Sequence, residues 1–297
     1  MSDALSIIVP TKNRCDAVKQ FLESLERLRA LERIRPEVIV GDNDSTDDTR
    51  EMLKERSKYF PVSLRTLTVT RPGKSAVLNE AIRIAGGRIL AFLDDDVVVE
   101  EGWLEAVEQF FAGNGYAIAQ GIIRLPPPES EDPEIIELQQ RYRTIPQLEL
   151  DGPLVDLPFL NGANFAARRE VFDRIGTFDE RLGPGASGTS EDVELGRRVR
   201  RAGIKIGCMK QAIAYHRVDR SRLTEAYFKS THKRQGRSRL LISNPATARI
   251  LFNLCRAWVR YWLYSVTGNE RKKYRSKGRI YHYFGMLENK FCSNSDR

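Results

Sequence analysis

Four short apolar runs in the first hundred residues, "LSIIVP", "EVIVG", "LRTLTV" and "RILAFLD", are separated by segments of a different period. Val18, Phe21, Leu22, Leu25 and Leu28 recur at spacings of three and four, the repeat of a helix with one buried face. "KSAVLNEAIRIAGG" reads as another helix, closed by Gly86 and Gly87. Strands that alternate with helices in this way fold as βαβ units around a largely parallel sheet. A helix follows the fourth strand and places Trp103, Leu104, Val107 and Phe110 on one face. "YAIAQGIIRL" is a further strand, and "PPPESEDPE" after it breaks regular structure as an exposed insertion, starting a loop or short helix. Residues 158–216 return to a compact pattern, with strands near "IKIGCM" and "AIAYH" and a helix in "EDVELGRRVRRAG". Beyond His216 the pattern becomes helical, aromatic and basic.

That last change divides the charge. Residues 217–297 hold 19 Lys+Arg and 5 Asp+Glu, a net +14, so the first 216 residues carry −6 of the chain's +8. The basic segment suits anionic lipid head groups, nucleic acid, an acidic partner or a solvated face. No apolar run reaches 18 residues, because Arg256 and Arg260 interrupt the most hydrophobic part of the tail. The first residues lack the basic start and cleavage site of a secretory signal, so a cytoplasmic protein is expected. Cys15, Cys208, Cys255 and Cys292 lie too far apart for a CxxC pair and read as reduced.

In open parallel sheets ligands bind outside the carboxyl ends of the strands. Polar clusters stand at those ends here: Thr11 to Arg14, Asp42 to Asp44, and Asp94 to Asp96, with Arg71 to Lys74 opening the intervening helix. Three adjacent aspartates repel one another unless a cation answers them, which points to Mg2+ or Mn2+ bridging phosphates. The alternative is an exposed cap for the next helix. "PGKS" at Pro72 to Ser75 resembles the end of a P-loop, yet Thr68 stands where its first glycine is needed, and no GxGxxG follows the first strand.

Seven segments in order, "SIIVPTKNR", "EVIVGDNDSTDDT", "GKSAVLNEAI", "GRILAFLDDDV", "NGANFAARREVFDRIGTFDERLGPG", "SEDVELGRRVRRAG" and "AIAYH", resemble the motif series of the inverting family 2 glycosyltransferases. The resemblance implies a GT-A fold, a Rossmann-like, mixed and mostly parallel sheet flanked by helices. The catalytic domain would span residues 1–216, with a helical C-terminal extension over residues 217–297. It further implies transfer of a sugar from a nucleotide diphosphate sugar to a hydroxyl of a glycan, glycolipid or other acceptor, in cell-surface glycan synthesis.

By position, Pro10, Thr11, Asn13, Arg14, Asp42 and Asn43 would surround the nucleotide, with Lys74 on the donor or its diphosphate and Asp94 and Asp95 on ribose or metal-bound water. Asp96 of the DxD region would hold Mn2+ or Mg2+, with His216 as a second ligand or a structural group. Asp192 would be the general base, and Glu191, Asn161, Gly162 and Asn164 would face the acceptor. Lys12 stands where many relatives carry an aromatic residue that could stack on a base, which leaves the identity of the base open: uridine is the first expectation, with guanosine and deoxythymidine as alternatives. "QRYRT" is the nearest string to the QxxRW of processive synthases; it precedes "SED" and lacks the tryptophan, which favours single addition. A catalytically silent sugar-nucleotide or glycan-binding module is the alternative. Nucleic-acid binding is not expected, since no reader motif is present.

Overall fold

The computed structural model describes residues 4–113, 115–149 and 156–292. The chain begins with β1 (Leu5–Thr11), α1 (Cys15–Glu26), the short α2 (Leu31–Ile34), β2 (Glu37–Asp42), α3 (Thr49–Arg56), β3 (Leu64–Thr68), α4 (Lys74–Ile84) and β4 (Ile89–Leu93). It continues through β5 (Val97–Val99), α5 (Trp103–Gly113), β6 (Ile118–Arg124), α6 (Pro133–Tyr142), β7 (Asn164–Arg168), α7 (Arg169–Ile175), α8 (Glu191–Arg201) and β8 (Ile206–His216). Three long helices complete it: α9 (Glu225–Ser243), α10 (Thr247–Val266) and α11 (Glu270–Cys292).

The strands form one sheet in the order β3-β2-β1-β4-β7-β6-β8-β5. β1 pairs in parallel with both β2 and β4, and β2 with β3. β7 is antiparallel to β4 and β6, β6 and β8 are parallel, and β5 closes the edge antiparallel to β8. The sheet is therefore mixed and mostly parallel. β1 has β2 on one side and β4 on the other, so the chain reverses direction of travel across the sheet there and leaves a crevice at their carboxyl ends.

Near-continuous apolar strands are the consequence of burial on both faces. Ile7, Val9, Val38, Val40, Ala91 and Leu93 face α1 and α5, where Phe21, Leu22, Leu25, Trp103, Leu104 and Val107 fill one core layer. Phe111 is the buried ring of α5, while Phe110 packs at the margin. Ile8, Ile39, Leu90 and Phe92 project to the other face, against Leu78, Ile82, Val171, Phe172, Leu195 and Val199. Phe92 stacks on Phe165 of the neighbouring β7 with ring centroids 4.6 Å apart.

Where two strands were expected near "IKIGCM" and "AIAYH", a single strand of 11 residues runs through, β8. Its register against β6 jumps between Gly121 and Ile122, from Met209 to Ile213, so Lys210 to Ala212 form a bulge. A bulge strands ladder carbonyls. Asn164 answers them: its Nδ2 donates to Ile122 O and Ala212 O, each at 2.9 Å, and its Oδ1 accepts from Trp103 Nε1 at 3.0 Å. Position 121 must be glycine, since a Cβ there would lie 2.3 Å from Asn164 Nδ2.

The chain divides into two compact units. The first holds the sheet: residues up to Pro126, Pro146–Glu180 and Glu191–Arg217. The second gathers Pro127–Ile145, Arg181–Ser190 and the chain from Val218. The boundary near residue 217 thus coincides with the change in charge, and the second unit also recruits the insertion after β6. Within that unit, Asp132 caps α6 by accepting from Glu134 N and Ile135 N. Tyr142 packs on Phe228 and Tyr274, and α11 lies against both α9 and α10. The α9–α11 crossing is close because Gly236 and Gly285 carry no side chain; a Cβ at Gly236 would sit 2.0 Å from His282 O.

Asn164→Leu leaves the Trp103 indole N–H and two buried carbonyls without their partner. A loss of about 3 kcal/mol or more in unfolding free energy is expected, since each orphaned group costs about 1–3 kcal/mol. Urea unfolding of the variant measures it, and an unchanged midpoint would refute the bonding role.

Candidate functional site

Five carboxylates converge at the crevice, and two basic side chains hold them there. Lys74, the first residue of α4, reaches Asp94 Oδ1 at 2.5 Å and Glu191 Oε1 at 3.2 Å. Arg14, just before α1, uses one nitrogen for both Asp95 Oδ1 at 2.7 Å and Asp96 Oδ2 at 2.9 Å. Thr11, the last residue of β1, donates to Asp95 Oδ2 at 2.7 Å. The three aspartates therefore divide between the two cations. Asp94 turns to α4 and α8, and Asp95 and Asp96 turn to the loop after β1.

Asp192 sits half-buried in the first turn of α8. Its Oδ2 accepts from Gly162 N at 2.8 Å and its Oδ1 from Val193 N at 2.7 Å. Burial and the adjacent Glu191 carboxylate push its proton affinity up, to a pKa of about 6, against the Gly162 N–H and the Lys74 charge. Burial likewise lifts Asp95 to about 6, against the pull of Arg14. Burial disfavours the ammonium of Lys74, but Asp94 and Glu191 outweigh it and hold that group above its usual range. A small cleft joins these groups, lined by Pro10, Lys74, Asp94, Gly162, Glu191 and Asp192, with Phe92 and Phe178 as its apolar wall.

Other expected site residues brace the loops around this cleft. Asn43 is buried, and its side chain donates to Val69 O and Arg71 O and accepts from Gly73 N. It braces the loop that delivers Lys74, so its amide does not reach for a base or ribose. Asp42 accepts from Ser45 N and lies 3.5 Å from Arg50, fixing the second loop. Asn13, in the left-handed conformation at φ 50°, accepts from Thr46 N and ties the first loop to the second. Asn164 is corrected: expected to contact an acceptor, it lies fully buried and its amide is committed to the bulge and to Trp103. Asn161 stays at the cleft margin, where its Oδ1 accepts from Ala163 N.

Sequence reading passed over Gln120, a buried amide within β6. Its Oε1 accepts from Asn161 N at 2.6 Å and its Nε2 donates to Asn164 O at 2.6 Å, which pins the loop that presents Gly162 to Asp192. A lone glutamine inside the apolar run "AIAQGII" was the available signal.

Asp96 and His216, the two residues expected to hold a divalent ion, lie side by side. His216 ends β8 opposite Val97, the first residue of β5. Its Nδ1 lies 2.9 Å from Arg217 O, and Nε2 faces Asp96 Oδ1 at 3.4 Å. Arg217 O can only accept, so Nδ1 carries a hydrogen and Nε2 is the ring nitrogen turned to Asp96. Among the described residues no cluster of three His, Cys, Asp or Glu side chains forms a complete protein cage. Two donors suit an ion that takes its other ligands from phosphate and water. Cys15, Cys208 and Cys255 are free thiols; the side chain of Cys292 lies outside the described residues.

The sequence model described as glycosyl transferase family 2 matches residues 6–176, more than half of the chain. Glycosyltransferase AglE of Haloferax volcanii is 24% identical over 212 residues, covering 71% of this chain and 66% of that protein. The O-antigen biosynthesis protein RfbC of Myxococcus xanthus is 29% identical over 236 residues, covering 75% of this chain and 18% of that protein. The chain thus spans less than two thirds of either relative. Among solved structures, mannosyltransferase PcManGT from Pyrobaculum calidifontis, in complex with GDP-Man and Mn2+, superposes with a TM-score of 0.65 at 18% identity, covering 97% of this chain and 87% of that one. S. aureus TarS 1-349 in complex with UDP-GlcNAc gives 0.56 at 19% identity, covering 79% and 66%. At such identities the likeness is one of fold: the GT-A arrangement of sheet and helices.

Asp192 titrates near 6 in the folded chain and near its ordinary 3.8 when unfolded, so the folded state holds more protons between those values. Its contribution to stability therefore falls as pH rises through that window. The stability of Asp192→Asn relative to the parent is expected to climb from about pH 4 to about pH 6.5 and then level off. Thermal melts of both proteins across that range test this, and a flat difference would contradict the raised proton affinity.

Proposed function

We propose, since the chain belongs to glycosyl transferase family 2, that it moves a sugar from a nucleoside diphosphate sugar to an acceptor hydroxyl with inversion at the anomeric carbon. The observation that carries this reading is the pairing across one cleft of a half-buried, proton-hungry Asp192 with the Lys74–Asp94 couple at the end of β4. Asp192 accepts the hydroxyl proton as the oxygen attacks, the new carbon–oxygen bond forms, and the bond to the diphosphate breaks with its electron pair leaving on the diphosphate. A base of pKa about 6 is ionised at neutral pH yet keeps appreciable proton affinity. The Gly162 N–H and the helical turn under Val193 hold its two oxygens in place before the acceptor arrives.

Lys74 serves the donor side, where its ammonium can exchange Asp94 for a phosphate oxygen. Arg14 and Thr11 orient Asp95 toward the ribose, and Pro10 forms the floor beside it. Glu191, Asn161 and Gly162 line the acceptor approach, with Gln120 positioning that loop from behind. Asp96 and His216 would hold Mn2+ or Mg2+, which supplies charge neutralisation for the departing diphosphate. Solved relatives carry a guanosine donor in one case and a uridine donor in another; uridine stays the first choice here. The names of the relatives, an O-antigen biosynthesis protein among them, favour a glycan or glycolipid of the cell surface as acceptor.

Asp192→Asn is expected to lower kcat by about 10²- to 10⁴-fold while leaving donor affinity within about threefold, the split of a proton acceptor. A nucleotide-sugar panel scored by nucleoside diphosphate release, with calorimetric binding in parallel, measures both. Turnover near the parent level rejects the assignment, and donor binding without turnover in the parent marks a silent binding module. In the parent, kcat/KM should decline as pH falls below about 6. Chelation should abolish turnover and Mn2+ or Mg2+ restore it, whereas Asp96→Asn should need more metal for the same rate; indifference to chelator would remove the ion from the reaction.

A further inference from the structure

α10 turns its hydrophobic face outward. Ile250 and Ala257 are the buried residues of this helix, and they point to α11. On the opposite side stand Phe252, Val259, Trp262, Leu263 and Val266, between 55% and 85% exposed, with Leu251 and Trp258 at the edge. Their spacings of three, four and seven place them in one continuous stripe. Arg249, Arg256 and Arg260 follow the same spacing and form a second stripe along one border of the first, and the helix contains no acidic residue. Arg256 lies over the Phe252 ring, 5.7 Å from its centroid. Directly after the helix, residues 271–279 carry six Lys or Arg, of which Arg271, Lys272 and Arg275 are exposed.

Water is a poor solvent for such a face, and a monomer rarely leaves a contiguous apolar patch of this kind uncovered. We infer that α10 is an interfacial helix that lies on an anionic lipid surface, with the Trp262–Val266 face sunk among acyl chains and the arginine stripe and the 271–279 run at the head groups. Tryptophan beside arginine is the composition favoured at that depth, where ring and guanidinium each keep one side polar. Among the described residues no helix is long and apolar enough to cross a membrane, so α10 lies along the surface. Charge decides between lipid and a second copy of this chain: two α10 faces laid together would bring arginine borders into one interface with no acid on either helix to answer them. Anionic head groups provide that answer, and an apolar face joined to a polybasic run supplies the two signals that stable attachment requires.

This inference stands apart from sugar transfer, because it is read without donor or acceptor. The full chain is mixed with vesicles of phosphatidylcholine alone, or with about a third phosphatidylglycerol, and sedimented at low and high salt while its tryptophan emission is followed. Binding to the anionic vesicles at low salt, with a blue shift, is expected. Val259→Asp and Trp262→Ser should each weaken it by about tenfold or more without moving Tm, since both side chains already meet solvent. The triple variant Arg249→Gln, Arg256→Gln, Arg260→Gln should flatten the salt dependence. Absence of binding overturns the inference, as does equal binding to neutral vesicles. A dimer by light scattering that Val259→Asp dissociates, with no vesicle binding, would assign the face to self-association instead.

Discussion

Like charges crowded at the end of a buried strand are tolerable only where cations are built in beside them, and this requirement organises the unit that holds the sheet. Two unit charges about 4 Å apart interact by about 4 kcal/mol at the effective permittivity of a protein surface, a sizeable fraction of a domain's net stability. Asp94, Asp95, Asp96, Glu191 and Asp192 are therefore affordable because Arg14 and Lys74 arrive from two other segments. Each cation comes from a loop that is itself braced: Asn13 and Asp42 tie the loops after β1 and β2, and Asn43 ties the one before α4. Burial outweighs the cations and hydrogen bonds at Asp95 and Asp192, which is why both titrate near 6. A carboxylate whose proton affinity is raised in this way suits the proton acceptor proposed at Asp192.

Two buried amides do comparable work on the other side of the cleft. Asn164 closes the hole left by the bulge in β8, and Gln120 holds the loop beyond it. Neither side chain faces the cleft, yet the position of the Gly162 N–H, and through it the orientation of Asp192, rests on them. Unpaired, each amide would cost more than its bonds contribute when made, so this part of the sheet has a single satisfied arrangement.

The helical unit follows another logic. Its interior is held by aromatic packing of Tyr142, Phe228 and Tyr274 and by glycine-mediated contact of α9 with α11. Its outer surface is apolar and cationic at once along α10. Burial within the unit and exposure on that face are separate requirements, and the one helix meets both with opposite sides.

Local chemistry settled a good deal in advance. Apolar runs of strand length separated by helical periods leave βαβ units as the way to bury both, so the first four strands, their helices and the polar clusters at their carboxyl ends could be read from residue order. The acidic triplet and the helix opened by Glu191 and Asp192 were legible too, because such charges at such places are costly without a purpose. The interior partners were decided by the tertiary structure. That β7 runs antiparallel between β4 and β6, that the last two apolar runs join into one bulged strand, and that Asn43 and Asn164 turn to backbone carbonyls all depend on which groups meet across the sheet. An amide looks the same in a sequence whether its partner will be a ligand or a carbonyl of a distant strand. Periodicity reports which side of an element is apolar, and only packing determines whether that side is covered, as α10 shows by leaving its apolar side open.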